Sequence, residues 1–400
     1  MAWGVGANDV GNAMGTSVGA KVLTIKQAII VAAIFETAGA IFASGHVTDT
    51  IRGKIINVHM LAGPPELLVY GMLASLLAAG IWLVAATFLS WPVSATHSIV
   101  GAIIGFAVVG IGVNAVAWHV VIDILMSWLV TPLLGGVIAY LVFMSVHKLI
   151  LDIDMPIRNA KRYVPCYIFS VAFIVSGVTL MKGMEYLKVK PNFAQSVMIA
   201  LVISSAMTVV GILLMRRIKM DPSDHRKLVS AKIEKIFGIL TVFTACALAF
   251  AHGSNDIANA IGPLAAVISI IKYHDILANS VVPFWIPLFG AAGMLTGLIM
   301  LGYKIMSTIG SNITQLTPSR AFAAQLATAS TVVIASGLGL PISTTQTLVG
   351  AVLGVGFARG IGALNLRVVG NILVSWVITL PIGAGTSILF FYLIKWAFTH

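Results

Sequence analysis

Long apolar segments separated by short polar ones run the length of the chain. The apolar segments cover residues 23–44, 66–90, 92–113, 117–146, 163–181, 193–215, 281–303, 319–340, 341–357 and 371–394. About 20 consecutive apolar residues are enough for a helix to cross the hydrocarbon core of a bilayer. A membrane barrel would instead show short segments of alternating polarity. The pattern predicts an all-α polytopic membrane protein with about 12 transmembrane segments.

Two of the polar interruptions are near copies of one motif. The chain carries GVGANDVGNAMG at residues 4–15 and AHGSNDIANAIGP at residues 251–263. Further matches recur at offsets of 247, 249 and 248 residues, pairing Asn8 with Asn255, Pro92 with Pro341, and Trp128 with Trp376. A nearly constant offset indicates an internal duplication. An apolar run at residues 236–250 precedes only the second copy, so we expect the first span to be short here, and no cleavable signal peptide is visible.

The duplication also predicts how the two halves are inserted. Seven apolar spans lie between corresponding points, so the halves should have opposite orientations. Inverted repeats recur in secondary transporters, where the site lies at the bilayer midplane between broken or re-entrant helices. We expect a first inverted repeat at residues 1–147, connecting spans with a basic cytoplasmic loop at 148–235, and a second inverted repeat at 236–400.

Composition excludes several classes of protein. The chain is 59% hydrophobic and 9% charged, whereas soluble domains carry about a quarter charged residues. The net charge is +11, but the basic residues lie between apolar segments rather than on amphipathic faces. Nucleic acid is therefore not an expected partner. Residues 216–235 carry seven Lys or Arg and should be cytoplasmic in a multi-pass protein of the cell (inner) membrane. Cys166 and Cys246 have no CxxC spacing, and no redox or zinc chemistry is indicated.

The duplicated motif carries the ligand types that a hard cation prefers. Asn8, Asp9 and Asn12 are spaced so that the two amides share one face of a helix and the carboxylate adjoins it. Amide and carboxylate oxygens suit such a cation, and an unwound start at Gly4 and Gly6, or at Gly253, would add free carbonyls. A helix cap explains one copy equally well, but two copies in apolar surroundings favour a functional role.

A second duplicated element is suited to an anion. PVSATHS occupies residues 92–98, and PISTTQT occupies residues 341–347. Proline can begin a helix, and a hydroxyl-rich helix N-terminus offers hydrogen-bond donors and the positive end of the dipole. Capping and back-bonding are the alternative for a single case. No Lys or Arg lies in any of the four elements, so an anion beside two aspartates needs bound cations, which favours cation-coupled transport.

Two other polar positions bear on coupling. Glu36 lies within an apolar span and has no counterpart, the equivalent position being near Gly290. We favour a coupling or gating carboxylate over an interhelical contact. His97 is matched by Gln346 in the other half, so a proton carrier required in both halves is disfavoured, and a hydrogen-bonding role suits both residues.

The doubled Gly-x-Asn-Asp-x-x-Asn-Ala-x-Gly pattern, with the Pro-x-Ser-x-Thr elements, resembles the inorganic phosphate transporter family over essentially the whole chain. The resemblance implies symport of orthophosphate with sodium, or with protons in some bacterial members, and a related branch carries sulfate. The expected substrate-binding residues are Ser94, Thr96, Ser343, Thr344, Thr345, Asn12, Asn259, Asp9 and Asp256. The expected cation ligands are Asn8, Asp9, Asn255, Asp256 and Gln346, with Glu36 for coupling.

The sequence therefore predicts a secondary transporter that imports phosphate with sodium ions by alternating access. A proton-coupled phosphate or metal-phosphate symporter and a sulfate permease of the same family are the nearest alternatives, and a homodimer is one assembly left open. An ion channel is disfavoured because carboxylate-containing sites suit bound cations. Enzymatic and ATP-driven functions are disfavoured because the chain has no HExxH, no nucleophile with an adjacent base and no Walker sequence.

Overall fold

A computed structural model describes residues 1–57, 65–182, 184–218, 226–273, 282–312, 316–360 and 366–399. In this part of the chain the regular elements are helices, and extended pairing is limited to two isolated bridges. The all-α prediction is thus confirmed. The side chain of Asn12 and part of the basic segment 216–235 lie outside the described residues.

The helices agree closely with the apolar segments of the sequence. The first are α1 (Ala2–Val5), a π-helical turn (Gly6–Val10), α2 (Gly11–Gly19), α3 (Ile25–Ala43), α4 (Gly45–Gly53), α5 (Glu66–Phe88), α6 (Ala95–Gly110) and α7 (Trp118–Val146), which continues into a π-helical turn (His147–Leu151). The others are α8 (Pro156–Lys182), α9 (Phe193–Arg216), α10 (Arg226–Asp256), α11 (Ala258–Tyr273), α12 (Trp285–Asn312), α13 (Pro318–Gly337), α14 (Thr344–Ala358) and α15 (Leu366–Thr399). Short 3₁₀ turns occupy Val113–Ala115 and Glu185–Leu187.

Local capping explains where several of these helices begin. Thr24 precedes α3 and forms a capping box with Gln27, and Asn192 forms the same arrangement with Gln195 before α9. In each box, two otherwise unpaired backbone N–H groups at the helix start gain a side-chain acceptor.

Within the described residues, eight helices are long and apolar enough to cross a membrane. They are Ile25–Ala43, Glu66–Phe88, Trp118–Leu151, Pro156–Lys182, Phe193–Arg216, Val229–Lys272, Trp285–Met306 and Val369–Phe398. Their outer faces present large apolar side chains, and Phe193 and Val377 are 73% and 75% exposed. Such surfaces are suited to lipid, so the chain is a multi-pass membrane protein.

Three apolar helical elements differ in length from a single crossing of the membrane. Val229–Lys272 covers 44 residues, about 66 Å of helix and twice the thickness of the hydrocarbon core. It is interrupted at Ile257, directly after Asp256, where α10 gives way to α11. In contrast, α6 and α14 have 16 and 15 residues and are only about 22 to 24 Å long. The second motif therefore lies at a helix break.

Glycines of the motifs serve close packing, and the expected unwound starts are not found. Gly6 belongs to a π-helical turn, and Gly253 lies inside α10. A β-carbon on Gly253 would overlap the backbone of Glu36 in α3, and one on Gly6 would overlap the backbone of Met294 in α12. Met294, rather than a residue near Gly290, thus holds the place that corresponds to Glu36. The backbone carbonyls before the motifs remain in helices instead of being freed for a cation.

A buried polar cluster joins α2, α10 and α13. It contacts α10 between the start of that helix and the second motif. Gln325 donates from Nε2 to Thr16 Oγ1 at 2.8 Å and to Ser17 Oγ at 2.6 Å. Its Oε1 accepts from Thr244 Oγ1 at 2.8 Å. All four side chains are fully buried. We call these four residues the Gln325 cluster.

Candidate functional site

The first motif fixes the segment that leads into α6. Asn8 is fully buried, and its Nδ2 donates to the carbonyl oxygen of Trp91 at 3.0 Å and to Thr87 Oγ1 at 3.1 Å. Its Oδ1 accepts from the backbone N–H of Val93 at 3.2 Å. A single amide thus satisfies both sides of the turn around Pro92, whose backbone groups would otherwise be costly to bury.

The second motif repeats this arrangement before α14. Asn255 Nδ2 donates to the carbonyl oxygen of Leu340 and to Ser336 Oγ, each at 3.1 Å, and Oδ1 accepts from the backbone N–H of Ile342 at 3.2 Å. Both Asn side chains therefore hold a helix start in place. An amide oxygen has a second lone pair, so this role is compatible with the expected contact to a cation.

Asp9 connects the two halves of the molecule. It is 1% exposed, and its Oδ2 accepts from the backbone N–H of Ala95 at 3.0 Å, at the first residue of α6. Its Oδ1 accepts from Thr345 Oγ1, at the start of α14, at 2.9 Å. The carboxylate therefore lies between the two short helices, where both helix N-termini favour negative charge.

Asp256 lies between the same two helices and is also 1% exposed. Thr344 Oγ1 donates to its Oδ2 at 2.6 Å, and Thr96 Oγ1 lies 3.4 Å from its Oδ1. Asn259 Nδ2 donates to the same Oδ1 at 3.3 Å and to Thr96 Oγ1 at 3.1 Å. The fold thus brings together two carboxylates and three threonine hydroxyls from four distant stretches of sequence.

Ser94 and Ser343 have a more local role in this structure. Each precedes its helix, and its hydroxyl oxygen accepts a backbone N–H three residues on, from His97 or Gln346, at 3.2 Å. They are N-caps, which confirms that the Pro-x-Ser-x-Thr elements begin helices. The hydroxyls that reach the carboxylates belong to the threonines that follow.

Several buried polar atoms near the two helix starts have no hydrogen-bond partner within the described residues. They are Asn259 Oδ1, Gln346 Oε1, His97 Nε2 and Trp376 Nε1. His97 also stacks on Trp128 with ring centroids 3.7 Å apart. Buried polar groups are normally paired, so such a group of unpaired atoms is typical of a site that receives a ligand. The two oxygens are of the kind that coordinates a hard cation.

His252 is part of this site and was not among the residues expected from the sequence. Its Nε2 lies 3.1 Å from Asp256 Oδ2, and its Nδ1 lies 3.3 Å from Glu36 Oε1. The spacing of four residues from His252 to Asp256 was a usable signal, because it places both side chains on one face of a helix. The contact with Glu36 comes from a distant helix and had no local signal.

Comparison with known proteins gives consistent matches over nearly the whole chain. The model of the phosphate transporter family matches residues 5–387. A protein of Haemophilus influenzae, described provisionally as a phosphate permease, is 50% identical over 402 residues, covering 100% of this chain and 95% of that protein. The chloroplastic inorganic phosphate transporter 2-1 of Arabidopsis thaliana is 39% identical, covering 100% of this chain and 70% of that protein.

A solved structure has the same fold. It is described as the sodium-dependent phosphate transporter, and it superposes with a TM-score of 0.91 at 37% sequence identity. The match covers 99% of this chain and 96% of that one.

Proposed function

Because the chain belongs to the phosphate transporter family, we propose that it imports inorganic phosphate together with sodium ions by alternating access. The family and its relatives are transporters and permeases, not enzymes. One observation carries the proposal: two buried carboxylates lie side by side with hydroxyls at the starts of two short helices. Asp9 and Asp256 each accept a threonine hydroxyl from the start of α14. Carboxylates suit the cation, and the helix starts suit the oxyanion.

In this proposal the ligands are shared between the two halves. Phosphate is bound by the threonines and serines of the helix starts, with Asn12 and Asn259, and sodium by Asp9, Asp256, Asn8, Asn255 and Gln346. The side-chain oxygen of Gln346, which has no hydrogen-bond partner among the described residues, supports its assignment to sodium. Sodium is cargo in this scheme, and it neutralises the carboxylates that would otherwise repel phosphate.

The same proposal includes the architecture. We infer about 12 transmembrane segments in two inverted repeats, residues 1–147 and 236–400, joined by residues 148–235, in the cell (inner) membrane. The matching contacts of Asn8 and Asn255 support the repeat, as do the paired contacts of Gly6 with Met294 and Gly253 with Glu36. The helix break after Asp256 and the short α6 and α14 support broken or re-entrant helices.

Uptake into proteoliposomes tests the function. We expect labelled phosphate to accumulate when an inward sodium gradient is imposed, and excess sulfate not to compete. Accumulation under a proton gradient alone would indicate that protons, rather than sodium ions, drive uptake. Competition by sulfate at equal concentration would favour the sulfate permease.

The orientation can be tested with single cysteines. In a background with Cys166→Ala and Cys246→Ala, Asp154→Cys should react with an impermeant maleimide only from the cytoplasmic side, and Asn114→Cys only from the outside. Both positions are exposed, and the span Trp118–Leu151 separates them. The basic residues near Asp154 favour a cytoplasmic location for that end of the span. A permeant maleimide should label both, and labelling of both by the impermeant reagent from one face would contradict the topology.

The threonine hydroxyls give a second prediction. Thr96→Val and Thr345→Val should each weaken phosphate binding roughly ten- to a hundredfold, since one hydrogen bond to a charged group contributes about 1.5 to 3 kcal/mol. Sodium binding measured without phosphate should change much less. Thr347→Val is the matched control, because Thr347 Oγ1 donates to the carbonyl oxygen of Ser343 in its own helix. Phosphate affinity at the wild-type value in both variants would rule out this pocket.

A further inference from the structure

Glu36, His252 and Asp256 form a continuous buried row. The Nδ1 of His252 lies 3.3 Å from Glu36 Oε1, and the Nε2 lies 3.1 Å from Asp256 Oδ2. None of the three side chains is more than 3% exposed. One nitrogen of the imidazole thus faces Glu36 on α3, and the other faces Asp256 at the helix break of the second motif.

Glu36 and His252 depend on this row for their polar partners. Among the described residues, the Glu36 oxygens and the His252 nitrogens have no hydrogen-bond partner, so the ion-pair contacts within the row are their polar contacts. An isolated carboxylate in such surroundings is strongly unfavourable, so Glu36 is held by the imidazole. Asp256 differs, because Thr344, Thr96 and Asn259 also contact it.

The backbone contact between α3 and α10 makes the row possible. Gly253 has no β-carbon, so the backbone of Glu36 lies directly against α10, next to His252. Gly39, one helical turn along α3, lies in the same way against the backbone of Phe250. With the two backbones this close, the carboxylate of Glu36 reaches the imidazole across the interface.

The corresponding place in the other half has the same backbone contact without the same side chains. There Gly6 and Gly297 bring α12 against the first motif. Val5 stands at the position corresponding to His252, and Met294 stands where α3 has Glu36. Neither can form an ion pair, because valine has no polar side-chain atom and the methionine sulfur is only a weak, uncharged acceptor. The duplication is therefore not symmetric at this point.

We propose that His252 is a positioning residue through which Glu36 sets the affinity of the cation site at Asp256, so that the two cation sites of the transporter are inequivalent. The proposal rests on the sodium-coupled function above. His252 holds the Oδ2 side of Asp256 in one orientation, and Glu36 holds His252. A change in the Glu36 side chain therefore reaches the cation at Asp256 through the imidazole, whereas Val5 and Met294 cannot form the corresponding ion-pair link at the first motif.

A double-mutant cycle tests this chain of contacts. Glu36→Gln and His252→Gln should each raise the sodium concentration for half-maximal phosphate uptake roughly tenfold, because a buried ion-pair contact is lost. The double variant Glu36→Gln/His252→Gln should be no worse than either single variant. Phosphate affinity at saturating sodium should remain near the wild-type value, which a general loss of structure would not allow.

The matched control is Glu234→Gln. Glu234 is also a carboxylate on α10, but it accepts from the backbone N–H and the hydroxyl of Ser319, far from the motif. This variant should keep the wild-type sodium dependence. His252→Gln alone leaves Glu36 without a partner and could prevent folding. In that case the comparison of Glu36→Gln with the double variant tests the proposal, and the two variants should have the same sodium dependence.

Additive effects in the double variant would overturn the proposal, as would wild-type sodium dependence in both single variants. These outcomes leave the proposed function intact, provided that the wild-type protein still requires sodium. Wild-type uptake that is independent of sodium would remove both the proposed function and this inference.

Discussion

Asp9→Asn and Asp256→Asn should each abolish uptake and remove the sodium dependence of phosphate binding. Each carboxylate is 1% exposed, and neither motif nor helix start contains a lysine or arginine to balance it. In such low-dielectric surroundings two ionised carboxylates repel phosphate strongly until cations neutralise them. Linkage then requires sodium and phosphate to raise each other's affinity by the same factor, roughly 5- to 150-fold. An amide keeps the shape of the side chain but not its charge.

Calorimetry on the purified protein measures this coupling. Phosphate should bind more tightly to the wild type in sodium than in choline, and in both variants the two affinities should be equal. Asp123→Asn is the control, because Asp123 is an exposed carboxylate on α7. Equal phosphate affinity of the wild-type protein in sodium and choline would refute sodium coupling. If that affinity rose with acidity in choline, protons would be the driving ion.

Gly354→Val should reduce uptake to background and lower the free energy of unfolding by roughly 3 kcal/mol. A β-carbon on Gly354 would overlap the backbone of Gly136, and one on Gly350 would overlap that of Pro132. α14 therefore lies backbone to backbone against α7, and this contact places Thr344 and Thr345 opposite the aspartates. A valine would force the two helices apart and move the hydroxyls out of reach.

Melting temperature in detergent and uptake in proteoliposomes together test this prediction. Gly385→Val is the matched control on α15, because Gly385 is exposed and no atom lies within 4 Å of a β-carbon added there. The control should behave like the wild type. Unchanged uptake by Gly354→Val would show that the contact with α7 does not position the site.

The starts of α6 and α14 were predictable because their causes are local. A proline followed two residues later by a serine places a helix start within a few residues, and the helices begin at Ala95 and Thr344. The link between Glu36 and His252 had no such local cause. It depends on two helices meeting at Gly253, and the hydrophobic pattern of one helix does not indicate which other helix packs against it.

The prediction of an unwound backbone at Gly6 and Gly253 is wrong for a related reason. Glycine permits an unusual backbone conformation, and it also permits another backbone to come close. The sequence of one helix does not distinguish these two uses, because the second requires knowledge of the opposing helix. Here the opposing backbones belong to Met294 and Glu36, and close packing is the use that the fold makes of both glycines.

The Gln325 cluster makes its helix interface easier to hydrate than the corresponding interface in the other half of the chain. Hydrogen bonds among its neutral groups can be exchanged one for one with hydrogen bonds to water, so separating α2 from α13 there has a small net cost. At the corresponding positions of the other half the chain has Leu76, Pro263 and Leu264. Separating the helices there would expose the buried Pro263 and more of the two half-buried leucines, at a cost of about 25 cal/mol per Å² of apolar surface. The interface that holds the Gln325 cluster can therefore be hydrated at a smaller cost in free energy than its counterpart.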